Sequence, residues 1–450
     1  MTTTETRHPT TSPIAPAETT DNSSDGTFRS LRIRNYRLFF IGQLISMCGT
    51  WMSSVAQSTY VLYRLNGGGR QLGILSACTF MPILTMGLWA GAVVDRGNKR
   101  KILIVAQSLM GITAAIQTGL VISGHINFAI LCSLALVMGI GNAFDMPARQ
   151  AFVSEMVSPQ DLPNAVGLNS AIFNGGRVVG QALGGVLVAS VGYAWCFGIN
   201  AVSFGAIIIG FLMMRTSELR PLRQVQRAKG QIRDGLRYVR STPVLRTVIL
   251  LVLVVGTFSL NFQVFVPLLA KDVFHGKESK VALFQVLLGI GSLAGSLLAA
   301  KRSAPSGGVI VKSALTFGLG LMGMALCPWE KLTWLILVVT GVGFITFMLT
   351  ANATLQLSSE PTVRGRVMAL YGLVFAGTTP VGAPFVGWVA DNFGARQSIA
   401  VGGVAGLLAT LGALLALRRG LLNPGRSLRR DVGTAKMPST QAQRTSTGPM

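Results

Sequence analysis

Charge is scarce in this chain. Asp, Glu, Lys and Arg make up 12% of its 450 residues, and 16 of those are acids. An ordinary soluble domain carries about twice that charged fraction, so a water-facing globule of this length is excluded. Histidine is scarcer still: three residues, none inside an apolar run. A membrane-embedded enzyme needs clustered His or paired carboxylates at depth, and the chain has neither. The five cysteines, Cys48, Cys78, Cys132, Cys196 and Cys327, are scattered in or beside apolar runs. An odd, dispersed set is neither a disulfide framework nor a metal-ligand spacing. They read as small packing residues, with no metal site.

What is present is hydrophobic length. Half of the residues are apolar, and they recur in runs of roughly 20, enough to cross a bilayer as helices. The runs are too long and too evenly apolar for barrel strands. The fold class is therefore an all-α membrane protein. Twelve spans are expected, near 36–63, 71–94, 102–122, 128–147, 164–190 and 195–214, then 246–270, 281–300, 311–328, 332–353, 366–389 and 396–417. The layout reads as a Thr/Ser/Pro-rich disordered segment over 1–27 that is not a signal peptide, a six-helix bundle over 28–214, a connection over 215–245, a second six-helix bundle over 246–419 and a disordered tail over 420–450. Two sets of six suggest duplication, as in transporters built from repeats.

A net charge of +23 in a soluble protein would suggest nucleic acid. Topology removes that need. Twelve spans put both termini on one side, and most Lys and Arg fall there. The opposite side holds Arg64, Arg70, Lys271, Lys277, Lys280, Lys331 and Arg396. Positive charge marks the cytoplasmic face, so both termini are expected inside a plasma (inner) membrane, with the bilayer as partner and no nucleic acid. In the connection, Ile232, Leu236 and Val239 at helical spacing among arginines read either as an amphipathic helix on the inner surface or as a basic linker.

One loop carries mechanism. Gly91-Ala-Val-Val-Asp95-Arg96-Gly97-Asn98-Lys99-Arg100 joins the second and third spans. It resembles the loop signature of the major facilitator superfamily, with Asn98 where that signature has Gly. Asn is the usual substitute where a left-handed backbone is needed, so the turn is expected to survive. The resemblance implies a gate. Asp95 would dock at the start of the eleventh span, near Gly365 and Arg366, when the cytoplasmic side closes, since a carboxylate is favoured at a helix N-terminus. Arg96, Lys99 and Arg100 would complete the network. A plain positive-inside anchor would explain the cations but not Asp95. Aligning Gly295 with Gly91 puts Ala299 where Asp95 stands, so the latch is one-sided.

Further blocks point the same way. Phe144-Asp145-Met-Pro147-Ala-Arg149-Gln150 through Glu155, Phe173-Asn174-Gly-Gly176-Arg177-Val-Val-Gly180-Gln181-Ala-Leu-Gly184-Gly185, and Arg364-Gly365-Arg366-Val-Met368 resemble the branch containing enterobactin exporter-like and transmembrane secretion effector carriers, related to drug:proton antiporters. That resemblance implies two six-helix bundles, alternating access, export of a small amphipathic molecule (a drug, siderophore or secondary metabolite), a proton gradient in place of any cofactor, and a monomer. Uptake, or a transport-dead sensor or scaffold, are the alternatives. Gln181 replaces the Pro of the antiporter signature, and the fourth span lacks a mid-membrane Arg.

The remaining candidates follow from residue chemistry. Gly176, Gly180 and Gly184 recur every fourth residue, beside Gly185, and let helices approach closely; Gly382 and Gly387 repeat the spacing of Gly180 and Gly185. Arg177, near mid-membrane, is costly there and serves an anionic substrate, a polar cluster on the first span or a structural hub. Asp145, four residues before Arg149, is a proton relay or an acid neutralised by it. Asp391 reads as a helix-end cap. Cavity candidates are Gln43, Thr50, Gln57, Asn261, Phe262, Phe265, Thr350 and Tyr371, a set of amides, hydroxyls and aromatics suited to a bulky, mostly apolar ligand.

Overall fold

The computed structural model describes residues 28–220, 231–300, 306–360 and 363–422. Among these there are no strands, and twelve helical segments are long and apolar enough to cross a membrane. The disorder expected over 1–27 and over most of 420–450 lies outside the described residues. The first six spans are α1 (Arg34–Tyr63), α2 (Gly69–Arg96), α3 (Lys99–Ile122), α4 (Phe128–Met156), α5 (Leu162–Ser190) and α6 (Tyr193–Leu212). A short α7 (Gln231–Ser241) precedes the seventh span, which is split into α8 (Pro243–Phe258) and α9 (Phe262–Leu268) with a π-helical turn at Leu269–Val273. The last five are α10 (Glu278–Ala300), α11 (Gly307–Leu326), α12 (Glu330–Leu357), α13 (Arg364–Phe393) and α14 (Ala395–Arg418). Helices α1 to α6 pack among themselves, as do α8 to α14. The two bundles meet where α2 lies along α13 and α5 along α10. The ends of the spans carrying Arg96, Lys99 and Arg364 are called here the basic side.

Three local expectations are corrected. The fourth span continues past Pro147 to Met156, because a membrane helix absorbs a proline when neighbouring groups satisfy the freed carbonyl. The seventh span is broken. Beyond Val255 the ladder stops, and the Asn261 side-chain amide donates to the Thr257 carbonyl at 2.8 Å in place of a backbone N–H. Buried Ser259 turns its hydroxyl to the Gly402 carbonyl at 2.7 Å. Asn98, finally, is not left-handed. Its backbone is extended (φ −75°, ψ 107°) and its side chain caps α3, accepting from the Lys101 N–H at 3.0 Å. Asn stands there as an N-cap.

Helix α7 forms where the basic amphipathic stretch lies, but it does not rest free on a lipid surface. Gly235 brings its backbone to within 3.1 Å of the Arg366 Cβ, measured from where a Cβ would stand. The Tyr238 hydroxyl accepts from the Glu360 N–H at 3.4 Å, and Val239 is buried while Leu236 stays exposed. Burying Val239 against the second bundle removes apolar area from solvent and fixes the connection under the start of α13. The side chain of Ile232 lies outside the described residues.

On the same side, Arg29 precedes α1 and donates to Asp161 at 2.6 Å and to the Gln160 carbonyl at 2.8 Å. The Ser158 hydroxyl and the Arg29 guanidinium hold the Asp161 carboxyl below its usual range.

Candidate transport site

The glycines that seat the bundles fall into two kinds. An added Cβ at Gly180 would meet the Trp51 Cβ at 2.9 Å, and one at Gly176 or Gly184 would press on Met47 or Met52 of α1. Gly382 stands equally close to the Thr257 carbonyl where α8 ends. These contacts lie within a bundle. Gly185, in contrast, abuts Ala282 of α10, and Gly387 abuts the Gly69 carbonyl of α2. These lie between bundles. The repeated spacing thus places one glycine against the bundle's own first helix and the next against the partner bundle, in both halves.

On the side opposite the basic one the bundles are sealed. Gly69 and Gly73 of α2 pack against Gly387, Ala390 and Ala383 of α13. The Asp391 carboxylate accepts from the Gly69 N–H at 2.6 Å and the Arg70 N–H at 3.0 Å. Asp391 is therefore a cap, but of α2 in the other bundle. Lys271 donates to the Leu62 and Gly67 carbonyls at 2.8 and 3.3 Å. The Tyr63 hydroxyl donates to the Gly276 carbonyl at 2.6 Å, and the Tyr193 hydroxyl to Glu278 at 3.2 Å. Deeper, Ser54 of α1 donates to Gln263 of α9 at 3.3 Å. The hydrogen bonds and close glycine contacts between the bundles thus gather away from the basic end.

Asp391 supports a direct expectation. A carboxylate on two terminal N–H groups is favoured by charge and by the helix dipole, and for this exposed side chain about 1–2 kcal/mol is appropriate. Replacing it by Ala is expected to raise hydrogen–deuterium exchange at Gly69 and Arg70 roughly tenfold. Unchanged exchange over 64–72 would mean that Asp391 holds nothing.

The other expected site residues divide. Lys99 does not reach α13 here; it pairs with Glu155 at the end of α4 at 3.1 Å, both largely buried. Arg100 caps the end of α6, donating to the Phe211 and Leu212 carbonyls at 2.7 and 3.3 Å. Both cations brace the first bundle in this state. Asp95 is partly buried and Arg96 exposed at the end of α2, while Gly365 and Arg366 open α13.

Asp145 has no exposure. It accepts from Gln107 of α3 at 2.7 Å and pairs with Arg149, so it sits between α3 and α4. Thr50, Gln57, Arg177 and Tyr371 keep partial exposure, whereas Gln43, Asn261 and Thr350 are buried. Phe265 does not line the cavity: it is fully buried, its ring 3.1 Å from where a Gly402 Cβ would stand. Phe262 packs with Phe344 and Phe317. Tyr371 stacks on Phe375 at 6.2 Å. Residues not singled out from sequence include Glu155, Tyr63, Lys271 and Gln263. For Asp391 a signal existed: Gly387-x-x-x-Asp391 repeats Gly91-x-x-x-Asp95 at the end of the pseudo-equivalent partner helix.

Twelve spans in two bundles of six that meet along α2–α13 and α5–α10 have the architecture of a transporter of the major facilitator type. Over residues 25–427 the chain matches the model of the transmembrane secretion effector family, and it belongs to that family of transporters. It is 27% identical over 416 residues to the multidrug efflux pump Tap of Mycobacterium tuberculosis, covering 89% of this chain and 98% of that one. It is 23% identical over 380 residues to the staphyloferrin A transporter of Staphylococcus aureus, covering 83% and 94%. A solved bacterial homologue of the human lysosomal transporter Spinster superposes with a TM-score of 0.69 at 16% identity, covering 85% of this chain and 97% of that one.

Proposed function

We propose that this protein exports a small amphipathic molecule across the plasma membrane by alternating access, driven by protons entering the cell. The carrying observation is that the bundles are joined at one end, through main-chain grips and between-bundle glycines at which they can part. The basic side is cytoplasmic in this reading, by the positive-inside rule, so both chain ends lie inside and the structure is inward-facing. Export accords with the name of the efflux pump Tap, and the carrier works as a monomer. Gating residues at the cytoplasmic end are Gly91, Asp95, Arg96, Gly365 and Arg366. Asp145, isolated with Gln107 and Arg149, is the group on which a proton would act, altering how α3 and α4 hold together. One proton entering across 100 mV supplies about 2.3 kcal/mol, and no cofactor is required.

The test is uptake of a panel of labelled amphipathic compounds into everted membrane vesicles, with and without a proton uncoupler. Energised accumulation that collapses with the uncoupler is expected. Movement of no compound, or only into right-side-out vesicles, would overturn the export reading.

A further inference from the structure

The middle of α5 holds an unusual group. Arg177 lies about 23 Å along α5 at 1.5 Å per residue, just on the basic side of the α5–α10 seal. Its neighbour Val178 stands 3.0 Å from where a Gly289 Cβ would be, and Gln181 is buried next to it. The Arg177 Nε and Nη2 atoms are shut off from solvent and donate to nothing. The guanidinium lies over the Trp51 ring at 5.9 Å, and Trp51 meets Phe173 edge-on at 5.8 Å. The indole Nε1 is likewise enclosed without an acceptor. Of the acids on α4, Asp145 is engaged with Gln107 and Arg149 and Glu155 with Lys99.

A buried cation without a counter-charge is expensive, and a structural hub would have spent these donors on carbonyls or carboxylates. Arg100 and Arg396 do so, each on two carbonyls. At Arg177 the donors converge with an indole N–H beside two aromatic faces. We infer that Arg177 and Trp51 form the head-group site for an amphipathic organic anion, its carboxylate or sulfonate on the guanidinium and indole N–H and its aromatic body on Phe173 and Trp51. This deepens the export reading and rests on it for the direction of movement, not for the site.

Two dyes of one xanthene skeleton and opposite sign test it: anionic fluorescein and cationic rhodamine 123, bound to the purified full chain in detergent and followed by fluorescence anisotropy. The native protein is expected to bind fluorescein at least tenfold more tightly than rhodamine 123. Arg177→Gln is expected to lose that preference by tenfold or more through weaker fluorescein binding, Arg177→Lys to keep it, and Trp51→Phe to weaken fluorescein. Monodisperse elution and unaltered melting of each variant separate loss of the site from loss of the fold. Equal affinity for both dyes, preference for the cation, no fluorescein binding, or an unaffected Arg177→Gln variant would overturn the assignment. Fluorescein bound but never moved in vesicles would support the site and overturn the export reading.

Discussion

Arg149→Ala is expected to destabilise the protein by about 3–5 kcal/mol, the range for removing one partner of a buried ion pair. The reason is asymmetric. Asp145 has no exposure, and without Arg149 its carboxylate keeps only the Gln107 amide donor. It must then remain charged and under-solvated or take up a proton. Adding Asp145→Asn is expected to restore most of the loss, since the buried charge disappears with its partner. Asp145→Asn alone leaves Arg149, which is partly exposed, able to reach solvent, and is expected to melt nearer the native value. Thermal unfolding of the detergent-purified single and double variants reads this as a mutant cycle. An Arg149→Ala protein melting with the native one would refute the buried pair as a stabilising element. The same variants probe coupling: if Asp145 carries the proton, Asp145→Asn folds and binds but no longer accumulates cargo against a gradient.

Gly387→Val is expected to abolish net transport while leaving both bundles folded. Position 387 faces the Gly69 carbonyl of the opposite bundle, so the added carbons have no room in the sealed state. Overpacking costs about 1–3 kcal/mol. Here the molecule can relieve it by parting the bundles rather than by unfolding, and that energy corresponds to a 5–150-fold shift in a two-state equilibrium. Spin labels on Asn66→Cys and Asn392→Cys, in a background lacking the native cysteines, are expected to show a longer separation in the variant. Gly382→Val supplies the contrast. It strikes the Thr257 carbonyl within its own bundle, so it is expected to lower the melting temperature without lengthening that distance. Equal distances in Gly387→Val and native protein would contradict the assignment of this glycine to a moving contact.

Much of this architecture was legible from residue order. Span number, duplication and the gathering of cations on one side follow from apolar length and charge placement, and these depend on residue type alone. Ends and breaks were less legible. Pro147 looked like a terminus because its missing N–H is visible in sequence while the packing that tolerates it is not, and stopping there hid Glu155, the partner of Lys99. The interruption at Ser259–Asn261 was masked because its flanks are uniformly apolar. Of the candidate site, Arg177 stood out as a lone cation at depth, and the structure adds the Trp51 and Phe173 rings. Phe265 was misplaced because an aromatic on a span carries no mark of which way its helix turns.

The far-side seal has a consequence for how this protein can vary. Lys271, Tyr63 and Asp391 each grip main-chain atoms of the opposite bundle. A carbonyl or amide is present whatever residue occupies the position. The gripping residues are therefore constrained while the gripped loops are free to drift, except where glycine permits the approach. A lineage could re-tailor the sealed mouth of this carrier for new surroundings without inventing a new lock.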